Sequence, residues 1–349
     1  MKNKRIIEII VIVILVIILA IIVGLYIKED NSLNSQTMNN MQMGTPPDKP
    51  DGSGGAPGSN SDISHVGATE ISTDTTSSDQ SYSSTNDSEN TLLVTGGTST
   101  ISNPTITKSG DSDGDNSDFY GTNAAVLVKE GTLNIDGGTV TTDGSHANGV
   151  FAYSNGTINI SNTDIKTTSN NSGAIMVTGG GTLTAKNVTA ETEGNSSAPI
   201  RSDRGGGTLT VNGGKYTSHG TGSPVIYSTA DITVNDATLT STASEGVVVE
   251  GKNSVTLNNV TMEATNTKLN SNSETYKSIF IYQSMSGDAE VGTSSFTAKD
   301  SKIVNNNGDI ILYQDTIKDN NTYEIKMWID KEFEKKIDNV SYEIKVNSR

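Results

Sequence analysis

Arg201, Asp203 and Arg204 fall within four residues, in Arg201-Ser202-Asp203-Arg204, and Gly205-Gly206-Gly207 follows at once. Two guanidiniums flanking a carboxylate can contact the carboxylate or the hydroxyls of a ligand, or pair among themselves. A hydrolytic site needs two carboxylates at a defined separation, and this run holds one. A second group is Gly110-Asp111-Ser112-Asp113-Gly114-Asp115-Asn116-Ser117-Asp118. Asp111, Asp113, Asp115 and Asp118 supply hard oxygen ligands that suit calcium. The spacing departs from an EF-hand loop: Gly114 stands fourth where the sixth position is needed, and Thr122 stands where the bidentate Glu belongs. A solvated acidic loop is the alternative reading. No other cofactor is implied.

The elements that carry these residues repeat. Val126, Val150, Ile175, Ile200, Val225 and Val247 start similar apolar strands at steps of 24, 25, 25, 25 and 22 residues. A fixed period of that length predicts a solenoid. After each anchor come pairs such as Leu133/Ile135, Ile158/Ile160, Leu183/Ala185 and Leu209/Val211, alternating with Thr, Asn or Asp. Period 2 sends one set inward and the other outward. Gly137, Asn162, Asn187, Gly213, Asp236 and Asn259 recur at one corner, where a positive φ suits them. The pattern predicts an all-β parallel β-helix of about nine or ten coils over residues 66–309. Residues 310–349 turn to Lys, Glu and aromatics and are expected to cap the open end.

Parity along the first strand places Leu127, Phe151, Met176, Arg201, Ile226, Val248 and Phe280 outward. Two residues on, Tyr153, Asp203 and Tyr282 share that side. This predicts an exposed apolar stripe. Phe151, Tyr153, Phe280 and Tyr282 would stack on sugar rings, and Arg201, Asp203 and Arg204 would hold polar groups. The alternative is that the linker or a second copy covers the stripe. Thr182/Thr184 and Thr208/Thr210 form a partial Thr array of the kind that contacts ice, irregular beyond those coils.

Composition narrows the classes. The chain has 349 residues, 5% of them aromatic, no Cys and a net charge of −16. Disulfides and thiol chemistry are excluded. Nucleic acid is an unsuitable partner, because phosphate binding needs clustered Lys and Arg. His65, His146 and His219 lie in polar contexts and read as surface residues. Ile9 to Ile27 is apolar and uncharged, about 29 Å as a helix, behind Lys2, Lys4 and Arg5. Residues 1–27 therefore read as a single-pass membrane anchor with the remainder extracellular. No small-x-small cleavage site is evident after Gly24; cleavage would make the chain secreted. Residues 28–65, rich in Pro, Gly and Ser, read as a flexible linker.

The coil plan resembles the right-handed parallel β-helix of the pectin-lyase-like superfamily, and more narrowly adhesin-like surface proteins of anaerobic Gram-positive bacteria. The segments that carry the resemblance are Asp118–Val126, Asn148–Phe151, Ile200–Gly207, Gly222–Ser228 and Ile281–Asp288. It implies a cell-surface location and contact with polysaccharide or a surface glycan of a host or neighbouring cell, without catalysis. Lyases of this architecture use a basic residue beside a calcium-bound uronate, so a polysaccharide lyase or hydrolase is an alternative. A structural rod that binds a protein partner is another. The resemblance assigns no catalytic residue.

Overall fold

The computed structural model describes residues 63–112, 114–269, 275–283, 288–316, 322–325 and 342–347, with side chains to Asp309 except that of Asp115. The expected anchor and nearly all of the expected linker lie outside the described residues. Among the described residues no helix is long and apolar enough to cross a membrane.

The chain winds as a parallel β-solenoid with three faces. On the first face, strands Gly67–Ile71, Asn90–Ser102, Val126–Asp136, Val150–Ser161, Ile175–Thr178, Ile200–Ser202, Ile226–Ser228, Val247–Glu250, Lys277–Tyr282 and Asp309–Thr316 stack in that order, every pair parallel. The second face continues from the longer of these strands and runs through Gly181–Thr192, Gly207–Ser218, Asp231–Asn235 and Ser254–Asn258 to Thr293–Lys299. The third runs from Ser81–Ser84 through Thr105–Lys108, Thr139–Thr142 and Asp164–Thr167 to Lys302–Asn305. At the C-terminal end the pairing reverses. Thr322–Ile325 lies antiparallel on Asp309–Thr316, and Tyr342–Asn347 lies antiparallel on Thr293–Lys299. These strands cover edges that a continuing coil would otherwise fill.

Small branched side chains suffice for this core because each coil is sealed by its neighbours. Leu92, Val126, Val150, Ile175, Ile200, Ile226, Val247 and Ile279 form one fully buried inward column. Each such burial contributes roughly 1.5–3 kcal/mol against an exposed side chain. One position differs from the sequence expectation. Ile226, not Val225, pairs with both Ile200 and Val247. Ile226 therefore points inward, and Tyr227 takes the outward place beside Arg201.

The corner expected from Asn, Asp and Gly is present. Asn162, Asn187, Asp236 and Asn259 hold φ of 53°, 52°, 55° and 53°, in line with Gly137 and Gly213 at 74° and 75°. Side chains reinforce it across coils: Asn162 Nδ2 donates to Asp136 Oδ1 at 2.7 Å, and Asn259 Nδ2 to Asp236 Oδ1 at 2.6 Å. A β-branched residue is strained there by about 1–2 kcal/mol. Asn187→Val should lower the melting temperature by several degrees, whereas Asn187→Gly should change it little. Equal melting temperatures for the two variants would contradict the corner's conformational demand.

Candidate functional site

The outward column runs Leu93, Leu127, Phe151, Met176, Arg201, Tyr227, Val248, Phe280 in direct register. Its side chains do leave the coil interior, but all except the half-buried Tyr227 are shut off from solvent. Phe151 and Met176 are fully buried, Phe280 is 1% exposed and Tyr153 6% exposed. The expected exposed sugar-stacking stripe is therefore absent. It is divided into two satellite cores: Leu93, Leu127, Phe151, Tyr153 and Met176 packed with Tyr120, and Val248 and Phe280 packed with Tyr227 and Tyr282.

The first satellite core is covered by the chain itself. The acidic run leads into a short helix, Asp115–Tyr120, which ends at Gly121 with φ of 72°. Gly121 sits so close to the stripe that an added Cβ would lie 2.8 Å from Leu127 Cδ1. Hydrogen bonds anchor the segment. Thr178 Oγ1 donates to the Phe119 carbonyl at 2.6 Å, Asn90 Nδ2 to that of Gly121 at 2.7 Å, and His65 Nε2 to that of Tyr120 at 2.8 Å. Burying apolar area outweighs leaving the insertion in water, because its polar backbone groups find partners there. His65 is thus part-buried, and burial lowers its pKa. His146 is also no surface residue: its ring bonds Asp118 at 3.1 Å and Asn171 at 3.0 Å.

A pocket of about 300 Å³ opens where the column changes from apolar to charged. Its walls are Asp118, Phe119, Arg201, Asp203, Pro224, Tyr227 and Asp288, with Ser196, Ala198 and Gly222 completing it. Arg201 stands at the base. It donates from Nη2 to Asp203 Oδ2 at 2.8 Å and from Nε to the same oxygen at 3.1 Å, and its Nη2 lies 3.9 Å from Asp118 Oδ1. Arg204 pairs with Asp288 at 2.7 Å and lies over the Phe119 ring, 4.0 Å from its centroid. Behind Tyr227, the Glu250 carboxylate accepts hydrogen bonds from the hydroxyls of Tyr227 at 2.5 Å and Tyr282 at 2.8 Å. Tyr282 in turn stacks on Phe280, with ring centroids 4.7 Å apart.

These neighbours set the protonation of the site. Burial lifts the Asp203 carboxyl to about 6; Arg201 opposes the rise, and the charges of Asp118 and Asp288 add to it. Burial disfavours the Arg201 charge, but Asp203 and Asp118 outweigh it and raise its pKa. Tyr227 and Tyr282 are raised by burial first; Tyr282 and Glu250 add to the rise at Tyr227, and Glu250 to that at Tyr282. Both phenols therefore stay protonated and act as hydrogen-bond donors at neutral pH.

The sequence candidates divide accordingly. Arg201 and Asp203 line the pocket, with Arg204 anchoring its rim and Tyr282 supporting it from behind. Phe151, Tyr153 and Phe280 are packing residues outside its lining. Of the acidic run, Asp118 faces the pocket. Asp111 accepts the Ser145 N–H instead, at 2.7 Å. Asp113 lies outside the described residues, as does the Asp115 side chain. Elsewhere Glu191, Glu193 and His219 approach one another closely enough to share an ion. Lys166 Nζ already lies 3.5 and 3.1 Å from the two carboxylates, so the group is an ion-pair network. The Thr columns on the second face do align, from Thr182 to Thr208 and from Thr184 to Thr210 to Thr233. Asn134, Asn159 and Asp231 interrupt them, and Asn159 Nδ2 bonds Asn134 Oδ1 at 3.0 Å.

Grouped carboxylates, sought along one column of neighbouring coils, are absent from the sequence pattern. The structure supplies them from insertions: Asp118, on the short helix, precedes Asp203 by a long stretch of chain, and Asp288 follows it. Phe119, Tyr227 and Glu250 were also missed as site residues. A signal existed, since Asp118–Val126, Ile200–Gly207, Gly222–Ser228 and Ile281–Asp288 each contribute a residue to this pocket. No protein family, curated protein or solved structure matches this chain.

Proposed function

We propose that the chain is a cell-surface, adhesin-like carbohydrate-binding β-helix that holds a sugar residue in the pocket of Asp118, Phe119, Arg201, Asp203, Tyr227 and Asp288, without catalysis. The observation that carries this reading is the lining itself: carboxylates and a guanidinium converge beside Phe119, Tyr227 and Pro224. Carboxylates accept and guanidiniums donate to sugar hydroxyls, while the rings and Pro offer flat apolar contact. Most of these groups sit on rigid parallel strands or are pinned to them, which suits pre-formed recognition. The volume accommodates one sugar residue, so a longer glycan would extend over the face. Surface display rests on the apolar run Ile9–Ile27.

One observation favours a second reading. An acid held to about 6 beside two further carboxylates is the pairing that glycoside hydrolysis uses, with Asp203 as proton donor. A single experiment separates the two. The full chain in detergent is passed over a panel of immobilised oligosaccharides, with retention and new reducing ends both scored. We expect retention that Asp203→Asn weakens at least tenfold, and no product. Product release abolished by Asp203→Asn would replace binding with hydrolysis. Absence of retention and product across neutral, acidic and amino-sugar glycans would overturn both.

A further inference from the structure

Resting on the carbohydrate-binding reading, we infer that the pocket selects an amino sugar, through a protonated primary amine seated between Asp203, Asp118 and Asp288. Charge and an open acceptor favour an ammonium. The groups that face one another here are Asp118, Asp203, Asp288 and Glu250 against Arg201 and Arg204, with His146 beyond Asp118. Among the described residues that line the pocket, carboxylates outnumber guanidiniums. Both guanidiniums are already engaged: Arg201 by Asp203, Asp118 and the Ser196 carbonyl at 3.3 Å, Arg204 by Asp288 and the Phe119 ring.

The second observation is at Asp203. Its side chain is 8% exposed, and Oδ2 takes both bonds from Arg201. Oδ1 accepts no hydrogen bond from any described residue, although the carboxylate lines the cavity. That oxygen is an acceptor left open toward the cavity, where a ligand can supply the donor. An ammonium brings three donors and one positive charge, which answers the open acceptor and the excess of negative charge together. A uronate would bring a like charge into the same site, which disfavours it. A neutral sugar would supply hydroxyl donors but leave the charge imbalance. An N-acetyl group would put an amide and a methyl where the charge is needed. The flat wall of Phe119, Pro224 and Tyr227 fits the ring that carries the amine rather than a bare alkyl chain.

Protonation gives the inference a signature. Asp203 titrates near 6, so it is charged above that pH and neutral below it. The preference for an amine should therefore weaken as pH falls from about 7 to about 5, a range in which an amine with a pKa near the α-amino value stays mostly protonated. The pocket-facing groups that could confound this are Asp118, Asp288, Glu250 and His146. His146 lies against Asp118, so the variant below is needed to assign the effect to Asp203.

The test is calorimetric titration of the full chain with four tetramers: glucosamine, N-acetylglucosamine, galacturonate and a lysine tetrapeptide. We expect the glucosamine tetramer to bind at least about tenfold tighter than its acetylated counterpart at about pH 7, as one charge-assisted contact allows. That ratio should shrink toward pH 5, and Asp203→Asn should abolish it while the variant keeps its far-ultraviolet circular dichroism. Equal affinity for the acetylated and deacetylated tetramers would overturn the amine and leave the sugar pocket standing. Lysine peptide binding as tightly as glucosamine would overturn the sugar requirement. Should Asp203→Asn misfold, a ratio that stays constant with pH in the unaltered chain still overturns the inference, and one that shrinks toward pH 5 supports it. No binding of any tetramer would overturn this inference and the carbohydrate reading together.

Discussion

Arg201→Met should cost about 3–5 kcal/mol of stability at pH 7.5, the loss expected when one partner of a buried ion pair is removed. Arg201 is 8% exposed, and its guanidinium meets Asp203 at 2.8 Å and Asp118 at 3.9 Å. Met keeps most of the stem's volume, so packing is preserved and charge is what changes. The pH dependence identifies the cause. Asp203 has a folded-state pKa of about 6, above the ordinary carboxylate value near 4. A raised folded pKa favours the folded state below the unfolded value, and that contribution is lost as pH rises through the folded one. Without Arg201 the carboxylate is disfavoured further, so the window in which it destabilises widens upward. At pH 4 Asp203 is largely protonated and needs no counter-charge. The deficit of Arg201→Met should therefore shrink markedly between pH 7.5 and pH 4 in urea denaturation. The double variant Arg201→Met/Asp203→Asn should recover most of the neutral-pH loss. A deficit of equal size at both pH values, without rescue by the double variant, would mean that Arg201 acts through packing alone.

The same pair shows what the sequence could and could not convey. Repeats, inward alternation and the corner residues were legible because each is local: a period near 25, a period of 2 and a tolerance for positive φ are properties of short windows. Asn162, Asn187, Asp236 and Asn259 take up the φ their type suits. Outward parity was legible too, except where Ile226 replaces Val225 and hands Tyr227 the outward place. That slip follows from one extra residue in the turn between Ser202 and Gly207, where the pairing offset passes from Val177–Ser202 to Gly181–Gly207, and no local pattern reports it. Exposure was not legible. Whether Phe151 meets water depends on where the segment before Thr122 lies, and that is fixed by Thr178, Asn90 and His65, all distant in sequence.

The pocket was hidden for the same reason. Arg201-Ser202-Asp203-Arg204 looked like a self-contained ion-pair group because only its own strand could be read. Its other carboxylates arrive on insertions: Asp118 on the helix that seals the apolar stripe, and Asp288 after Lys277–Tyr282. One insertion thus does two things. Its apolar side closes the first satellite core, and Asp118 and Phe119 beside it form a wall of the pocket. A rigid parallel sheet supplies the base, and loops supply the chemistry.

Inside the solenoid the largest expected effect is at Tyr216, a fully buried aromatic whose rung neighbours are Ala190 and Leu239. The small Ala190 leaves the space that the ring fills, so the two positions complement each other across coils. Tyr216→Ala should cost about 3–5 kcal/mol, the range for emptying a buried aromatic site. The hydroxyl is a different matter. Tyr216 Oη is buried and makes no hydrogen bond with any described residue, and burial alone raises its pKa. An unmet buried hydroxyl costs about 1–3 kcal/mol, and replacing it with an apolar group relieves that penalty. Tyr216→Phe should therefore raise stability by about 1 kcal/mol or more, independent of pH between about 5 and 9, with the midpoint of urea denaturation as the readout. The opposite signs of the Phe and Ala variants separate the ring from its hydroxyl. Should Tyr216→Phe instead destabilise the chain, the hydroxyl has a partner, such as a bridging water, whose loss is being measured.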